Sequence, residues 1–400
     1  MTTAGNDIPI DFKNKEELKK QVFKILNFYY PRCIDKENGG YYEGMMDDGT
    51  INDHKTKNLV GTSRFIYIFS IGTLLGGPEW CREAAIHGIK FLQEHLLDKE
   101  NNGYFFQLNG TEVTISSKLA YGHAFVLLAS SMAYQAGIIE AKEVLLNVDR
   151  VLEEYFWEPK NGFYADEWDS SWTKLSSYRG QNANMHMCEA SLTAYEATKD
   201  EKYLTRAHSL AEGIVKKLMP QTEGLVWEHY DSNFKPDWNY NKGLTKDEFR
   251  PYGFIPGHQF EWCKLLVWID NYRSEPWMLE NAEYLFQEAW KLGWDNVYDG
   301  IFFALSPDKE LIDLDKNYWV MSEAIAASAL LGSKTGSSTY WEDYELLFNY
   351  SWDHLMDHKY GGWYQLLGRE NFPYSKEKSP SPKADYHPIA AYYLTIQALS

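Results

Sequence analysis

The chain has 400 residues, of which 44% are hydrophobic, 16% aromatic and 24% charged, and its formal net charge is −18. That surplus of carboxylates excludes a nucleic-acid partner, because phosphate recognition draws on clustered Lys and Arg, and it disfavours polyanionic substrates except where a local Arg overrules the global field. No run approaches the eighteen or so apolar residues of a membrane span, and the polar stretch from Met1 to Lys20 has no apolar signal core, so a cytoplasmic chain without a membrane partner is expected.

In chain order, Glu16 to Phe28 alternates charged and apolar residues at helical spacing and predicts a one-sided outer helix. Asn38-Gly39-Gly40-Tyr41-Tyr42 follows, then a polar helix start at Thr62-Ser63-Arg64-Phe65. Glu79 to Leu97 predicts a second outer helix. After Asn102-Gly103-Tyr104-Phe105, the nearly continuous apolar run Tyr121 to Ala136 predicts an inner helix covered on both sides. Asn161-Gly162-Phe163-Tyr164 leads to the polar block Gln181 to Glu189 and an inner helix over 185–198. Glu223-Gly224-Leu225-Val226-Trp227 precedes the longest irregular stretch, Asp231 to Gly257, which is expected to border a functional opening. An inner helix at 258–269, an outer helix at 281–292, Asp299-Gly300-Ile301-Phe302-Phe303, an inner helix at 319–331, Tyr360-Gly361-Gly362-Trp363-Tyr364 and the block Lys383 to His387 complete the series. Cys33, Cys81, Cys188 and Cys263 lack Cys-x-x-Cys spacing and predict reduced, partly buried thiols.

Measured from Gly40, Gly103, Gly162, Gly224, Gly300 and Gly362, the signature recurs at steps of 63, 59, 62, 76 and 62 residues. Each step holds two helices and two connections. Six helix pairs predict an all-α, double-layered ring: one domain over residues 1–400, twelve helices, and short extended aromatic segments forming one rim without chemistry of their own. The rings could pack in the core or stack on sugar rings.

Five repeats start their inner helix with polar groups. His186, His258 and His387 fall at one phase of different repeats and join Arg64 and the carboxylates Glu261 and Glu323. Two histidines facing one carbon form an acid/base pair, and an arginine beside them stabilises a developing oxyanion. That inventory suits proton transfer α to a carbonyl. The i, i+3 pairs His186-x-x-Glu189 and His258-x-x-Glu261 offer a metal site as the competing use, although di-iron bundles use the reverse order and Arg64 would repel a divalent cation. Paired acids among Asp166, Glu167, Glu261 and Glu323 would suit glycoside hydrolysis, and a non-catalytic sugar-binding barrel is a third reading. Nucleophile-elbow, P-loop and dinucleotide fingerprints are missing from the sequence.

The blocks Arg64-Phe65, Asn182-Ala183-Asn184-Met185-His186 with Glu189-Ala190, Pro256-Gly257-His258 with Glu261-Trp262, Trp319 with Glu323-Ala324, and Tyr386-His387 resemble, in order and spacing, the N-acylglucosamine 2-epimerase superfamily over roughly residues 35 to 395. The resemblance implies an (α/α)6 barrel and a reaction without cofactor through a cis-enediolate of a monosaccharide. It implies that Arg64 polarises the C1 and C2 oxygens, that His186 holds the same region, and that His258 and His387 are the acid/base groups. Glu261 would fix the tautomer of His258, Trp319 would pack near the sugar, Glu323 would support the histidines, and Tyr121 and Asn184 would be further contacts. The compact blocks look more like the monosaccharide isomerases, so conversion of mannose to fructose is expected, with 2-epimerisation on the same site as the alternative. A sulfonated substrate would need a second cation, from Arg179 or Arg250.

Overall fold

A computed structural model describes residues 10–399. Among these, twelve α-helices run in the order α1 (Lys15–Tyr29), α2 (Leu59–Leu74), α3 (Glu79–Phe91), α4 (Ala120–Gln135), α5 (Ala141–Val151), α6 (Gln181–Thr198), α7 (Glu201–Glu212), α8 (Pro256–Asp270), α9 (Pro276–Gly293), α10 (Tyr318–Thr335), α11 (Ser338–Tyr350) and α12 (Tyr386–Ala398). The even-numbered helices pack on one another in sequence, and α12 returns to α2, closing an inner ring. Each odd-numbered helix lies outside against an inner partner, α1 against α12. The protein is an (α/α)6 barrel.

Composition explains the two layers. Every residue of α8 is buried, as an inner helix with neighbours on all sides requires, whereas α5 buries only Ala141, Val144, Leu145, Val148 and Val151, one stripe at helical spacing. The side chains of Asn58 and Asn317 cap α2 and α10 by accepting the N–H groups of Val60 and Trp319. Helix α6 begins four residues before the expected Met185, so the polar turn Gln181 to Asn184 is helical and belongs to the barrel's open end. The outer segment expected over 79–97 ends as a π-helical turn at Leu92–Leu96. All four cysteines are fully buried free thiols, more deeply placed than expected.

The glycine-aromatic signatures build the rim. In four repeats a buried aspartate five residues before the signature glycine donates its N–H to that glycine's carbonyl: Asp35 to Gly40, Asp98 to Gly103, Asp295 to Gly300 and Asp357 to Gly362. The tight turn puts the glycine in the left-handed region, φ +72° at Gly103 and +74° at Gly362, where a side chain is strained. Each aspartate also pairs with a lysine on the short strand ahead of the next inner helix, Lys57, Lys118, Lys316 and Lys378, at 2.8, 2.8, 3.0 and 2.7 Å. Arg179–Glu158 takes this place in the third repeat at 2.7 Å. Turn and inner helix are thereby fixed in height, and the ring closes at the rim where the strands Gly44–Met46 and Glu377–Ser379 pair antiparallel. The segment between Tyr230 and Pro256 crosses the opening. Phe249 packs on Phe106 and Tyr121, and Asn182 Nδ2 donates to its carbonyl. No helix of the described residues is long and apolar enough to cross a membrane.

Candidate active site

The inner helices start at the rim, so their first two turns converge on a cavity of about 190 Å³ lined by Arg64, Tyr121, Asn182, His186, His258, Glu261, Trp319 and His387. Six elements contribute. Arg64 is buried, with Nη1 donating to the Pro382 carbonyl at 3.2 Å and Nη2 to the Tyr121 hydroxyl at 3.2 Å. Its guanidinium lies over the rings of Phe125 and Tyr386, its Nε–H has no acceptor, and no carboxylate pairs with it among the described residues. A buried, unpaired guanidinium with a free donor is a receptor for an oxyanion.

Two histidines are held from behind by carboxylates. His258 Nδ1 lies 2.8 Å from Glu228 Oε1, and His387 Nδ1 lies 2.7 Å from Glu323 Oε1. A carboxylate at Nδ1 fixes the Nδ1–H tautomer and leaves Nε2 without a proton. Gln181 locks the first pair: its amide donates to Glu228 Oε2 at 2.9 Å, and its oxygen accepts from the Trp262 indole at 2.8 Å. Trp319 packs against both imidazoles, with ring centroids 4.9 Å from His258 and 5.7 Å from His387. Burial, then the fixed charges of Arg64 and Lys264, hold His387 neutral well below the usual histidine range. Burial likewise pulls His186 down to about 4. The His186 ring meets Tyr121 edge-on at 5.0 Å, and its Nδ1 has no hydrogen-bond partner.

Several expected roles are corrected. Glu261 does not fix the His258 tautomer, because Glu228 occupies that position; Glu261 instead approaches His186 Nδ1 at 3.6 Å, and neither of its oxygens is hydrogen-bonded. Asn184 stands behind the wall, accepting the Tyr164 N–H at 2.8 Å and donating to the Tyr164 and Gly180 carbonyls, while Asn182 lines the cavity. Arg179 is committed to Glu158, and Arg250 to Glu167 at 2.9 Å, so neither faces the cavity. Asp166 accepts the Gly180 N–H and, like Glu167, lies off the cavity wall. The rim is also less inert than expected, since Glu228 directly follows the fourth signature. A polar residue stands three or four positions after the turn glycine in four repeats, Glu43 and Gln365 at three and Asp166 and Glu228 at four, a repeat-register signal that points to Glu228.

His186, Glu189 and Glu261 bring possible ligand atoms within 4.8 Å of one another. The buried Lys264 ammonium meets the same carboxylates, 3.3 Å from Glu189 and 3.8 Å from Glu261, so an amino group supplies the positive charge there.

The N-acylglucosamine 2-epimerase (GlcNAc 2-epimerase) family model matches residues 40–391. The chain belongs to this family. Among similar members, a D-mannose isomerase of Marinomonas mediterranea is 42% identical over 390 residues, 97% of this chain and 98% of the relative. A cellobiose 2-epimerase of Dictyoglomus turgidum is 25% identical over 92% of this chain and 94% of its own length. A solved D-mannose isomerase structure superposes with a TM-score of 0.94 at 41% identity, covering 98% of this chain and all of that one. In this N-acylglucosamine 2-epimerase family member, the convergent histidines and Arg64 all project from the inner layer of the shared barrel.

Proposed function

We propose that the protein is a cofactor-independent aldose–ketose isomerase that interconverts free D-mannose and D-fructose through a cis-enediolate. The observation that carries this reading is the unpaired guanidinium of Arg64 in one cavity with two imidazoles, each backed at Nδ1 by a carboxylate. The open-chain aldehyde lies with its C1 and C2 oxygens at Arg64, and the neutral His387 takes the C2 proton on Nε2. The C2–H electron pair forms the C1–C2 double bond, and the C1 carbonyl becomes an oxyanion held by Arg64. His258 Nε2 relays the hydroxyl proton from O2 to O1, and His387 returns its proton to C1, which leaves a carbonyl at C2. His186, neutral at physiological pH, holds the substrate oxygens by hydrogen bonds. The similarity to curated D-mannose isomerases supports the choice of mannose.

Protonation of C2 from the opposite face would give the epimer instead, the outcome named for the cellobiose 2-epimerase relative. Incubation with D-mannose in D2O separates the two. Isomerisation yields fructose, with solvent deuterium at C1 to the extent that the histidine proton exchanges, and epimerisation yields glucose labelled at C2. No product and no exchange with mannose or any other common aldose would overturn the reading.

A further inference from the structure

Beside the three histidines lies a buried charged nest of which the reaction as written uses only Glu323. Lys264, on the third turn of α8, is 1% exposed and faces three glutamates from three helices: Glu323 at 2.8 Å, Glu189 at 3.3 Å and Glu261 at 3.8 Å. One ammonium against three buried carboxylates is expensive to desolvate, and Glu261 hydrogen-bonds through neither oxygen. A fold gains more stability from apolar residues here, so the arrangement calls for a use. The geometry indicates one: Glu323 binds Lys264 through Oε2 and His387 through Oε1.

We propose that Lys264 is a positioning residue that keeps the Glu323 carboxylate charged and aimed at His387, so that His387 keeps its proton on Nδ1 and offers a bare Nε2 to the substrate carbon. The inference rests on the isomerase reading for its kinetic consequence alone. A protonated Glu323 would donate to Nδ1 and force the proton onto Nε2, which is the wrong tautomer for a base. The groups that face Glu323 act in both directions. Burial pushes its carboxyl up first, the Lys264 ammonium pulls it down, and the Glu189 carboxylate on α6 pushes it up again. His186 on α6 would pull it down only in its protonated form, Glu261 on α8 and Glu323 each raise the other's cost of ionising, and the Tyr67 and Tyr386 hydroxyls from α2 and α12 stay protonated beside the nest. Arg64 on α2 adds a fixed positive charge on the cavity side. Glu189 is itself committed, accepting the Tyr386 hydroxyl at 2.7 Å.

Two substitutions move the balance in opposite directions. Lys264→Met removes the cation, so the acidic limb of the kcat–pH profile should rise by about one unit or more, with kcat at pH 7 down about 10–100-fold and KM within about two-fold. Glu189→Gln removes a repelling carboxylate while its amide oxygen still accepts from Tyr386, so the limb should move to lower pH. The 15N spectra of histidine-labelled protein give a readout independent of turnover: the His387 Nδ1–H tautomer should persist to lower pH in Glu189→Gln than in the unsubstituted protein, and be lost at higher pH in Lys264→Met. Unchanged limbs and tautomer midpoints in Glu189→Gln overturn the inference, even if Lys264→Met does not fold. Absence of aldose turnover in the unsubstituted protein would defeat the isomerase reading and leave the tautomer titration to decide on Lys264.

Discussion

Glu228 and Glu323 do the same job for different histidines, but they reach them from different places. Glu323 is on the second turn of α10, whereas Glu228 follows a rim turn, just ahead of the strand His229–Tyr230. Replacing the carboxylate by an amide keeps a hydrogen bond but removes the charge that supports an imidazolium. Glu228→Gln should therefore lower kcat about 10–100-fold with little change in KM, as steady-state kinetics on mannose would measure. His387→Asn, which removes the base itself, should cost about 10²–10⁴-fold while the thermal midpoint stays close to that of the unsubstituted protein. Arg64, His186, His258, Trp319 and His387 are legible in the sequence because each is a polar or large residue near the start of an otherwise apolar helix. Lys264 is not, since a charge in the middle of a helix ordinarily reads as an exposed face and nothing local shows that α6 and α10 deliver glutamates to it. The Glu228–His258 pairing is hidden for the same reason: thirty residues and the long mouth segment separate them, and Glu261, one turn from His258, is the nearer candidate on paper.

The recurring unit is a rim turn tied to an inner helix, and its stability rests on buried ion pairs. Lys57 and Asp35 are both fully buried, and Lys57 Nζ also donates to the Tyr41 carbonyl at 2.8 Å. Lys57→Met leaves Asp35 charged without its partner and should cost about 3–5 kcal/mol in urea unfolding. The exposed pair Lys216–Glu212 is the control, where Lys216→Ala should cost no more than about 0.5 kcal/mol. The pair also sets an acid limit. Burial raises the Asp35 carboxyl, but the Lys57 ammonium and the N–H groups of Asn38 and Glu37 outweigh it and hold it at about 2. A folded-state value below the unfolded one, about 3.9, means that the contribution is complete above about pH 4 and is lost as pH falls towards 2. Asp295 is held at about 2 against burial by Arg369, the Val297 N–H and Lys316, and acts in the same window. In Lys57→Met the stability lost between pH 4 and 2 should be smaller than in the unsubstituted protein. The six-fold period is readable from the signature glycines, and the aspartate five residues before four of them, with a lysine 20 to 22 residues later, is readable too once the turn geometry is known.

At the scale of the molecule, ring closure makes each repeat a neighbour of two others, and α12 seals the first repeat to the last. We propose that the chain unfolds as one unit, so that far-UV ellipticity and tryptophan fluorescence should report one coincident transition. The segment over the mouth is tied to the ring by ion pairs as well as by the packing of Phe249 on Phe106 and Tyr121. Lys246 pairs with Asp315 on the strand ahead of α10, and Lys383 pairs with Glu248 at 2.5 Å. Both pairs are partly exposed, and both bridge the mouth segment to a different repeat. Exposed pairs of this kind contribute about 0.2–1 kcal/mol each. If closing the segment over bound sugar uses that energy, Lys246→Ala should raise KM for mannose by about 1.5–5-fold with kcat unchanged, since Lys246 lines the cavity but has no part in the proton transfers. Screening should reproduce the effect without a mutation: about 0.5 M NaCl should raise KM in the unsubstituted protein and change it less in a Lys246→Ala, Lys383→Ala double variant. Equal salt sensitivity in the two proteins would show that the segment closes independently of these pairs.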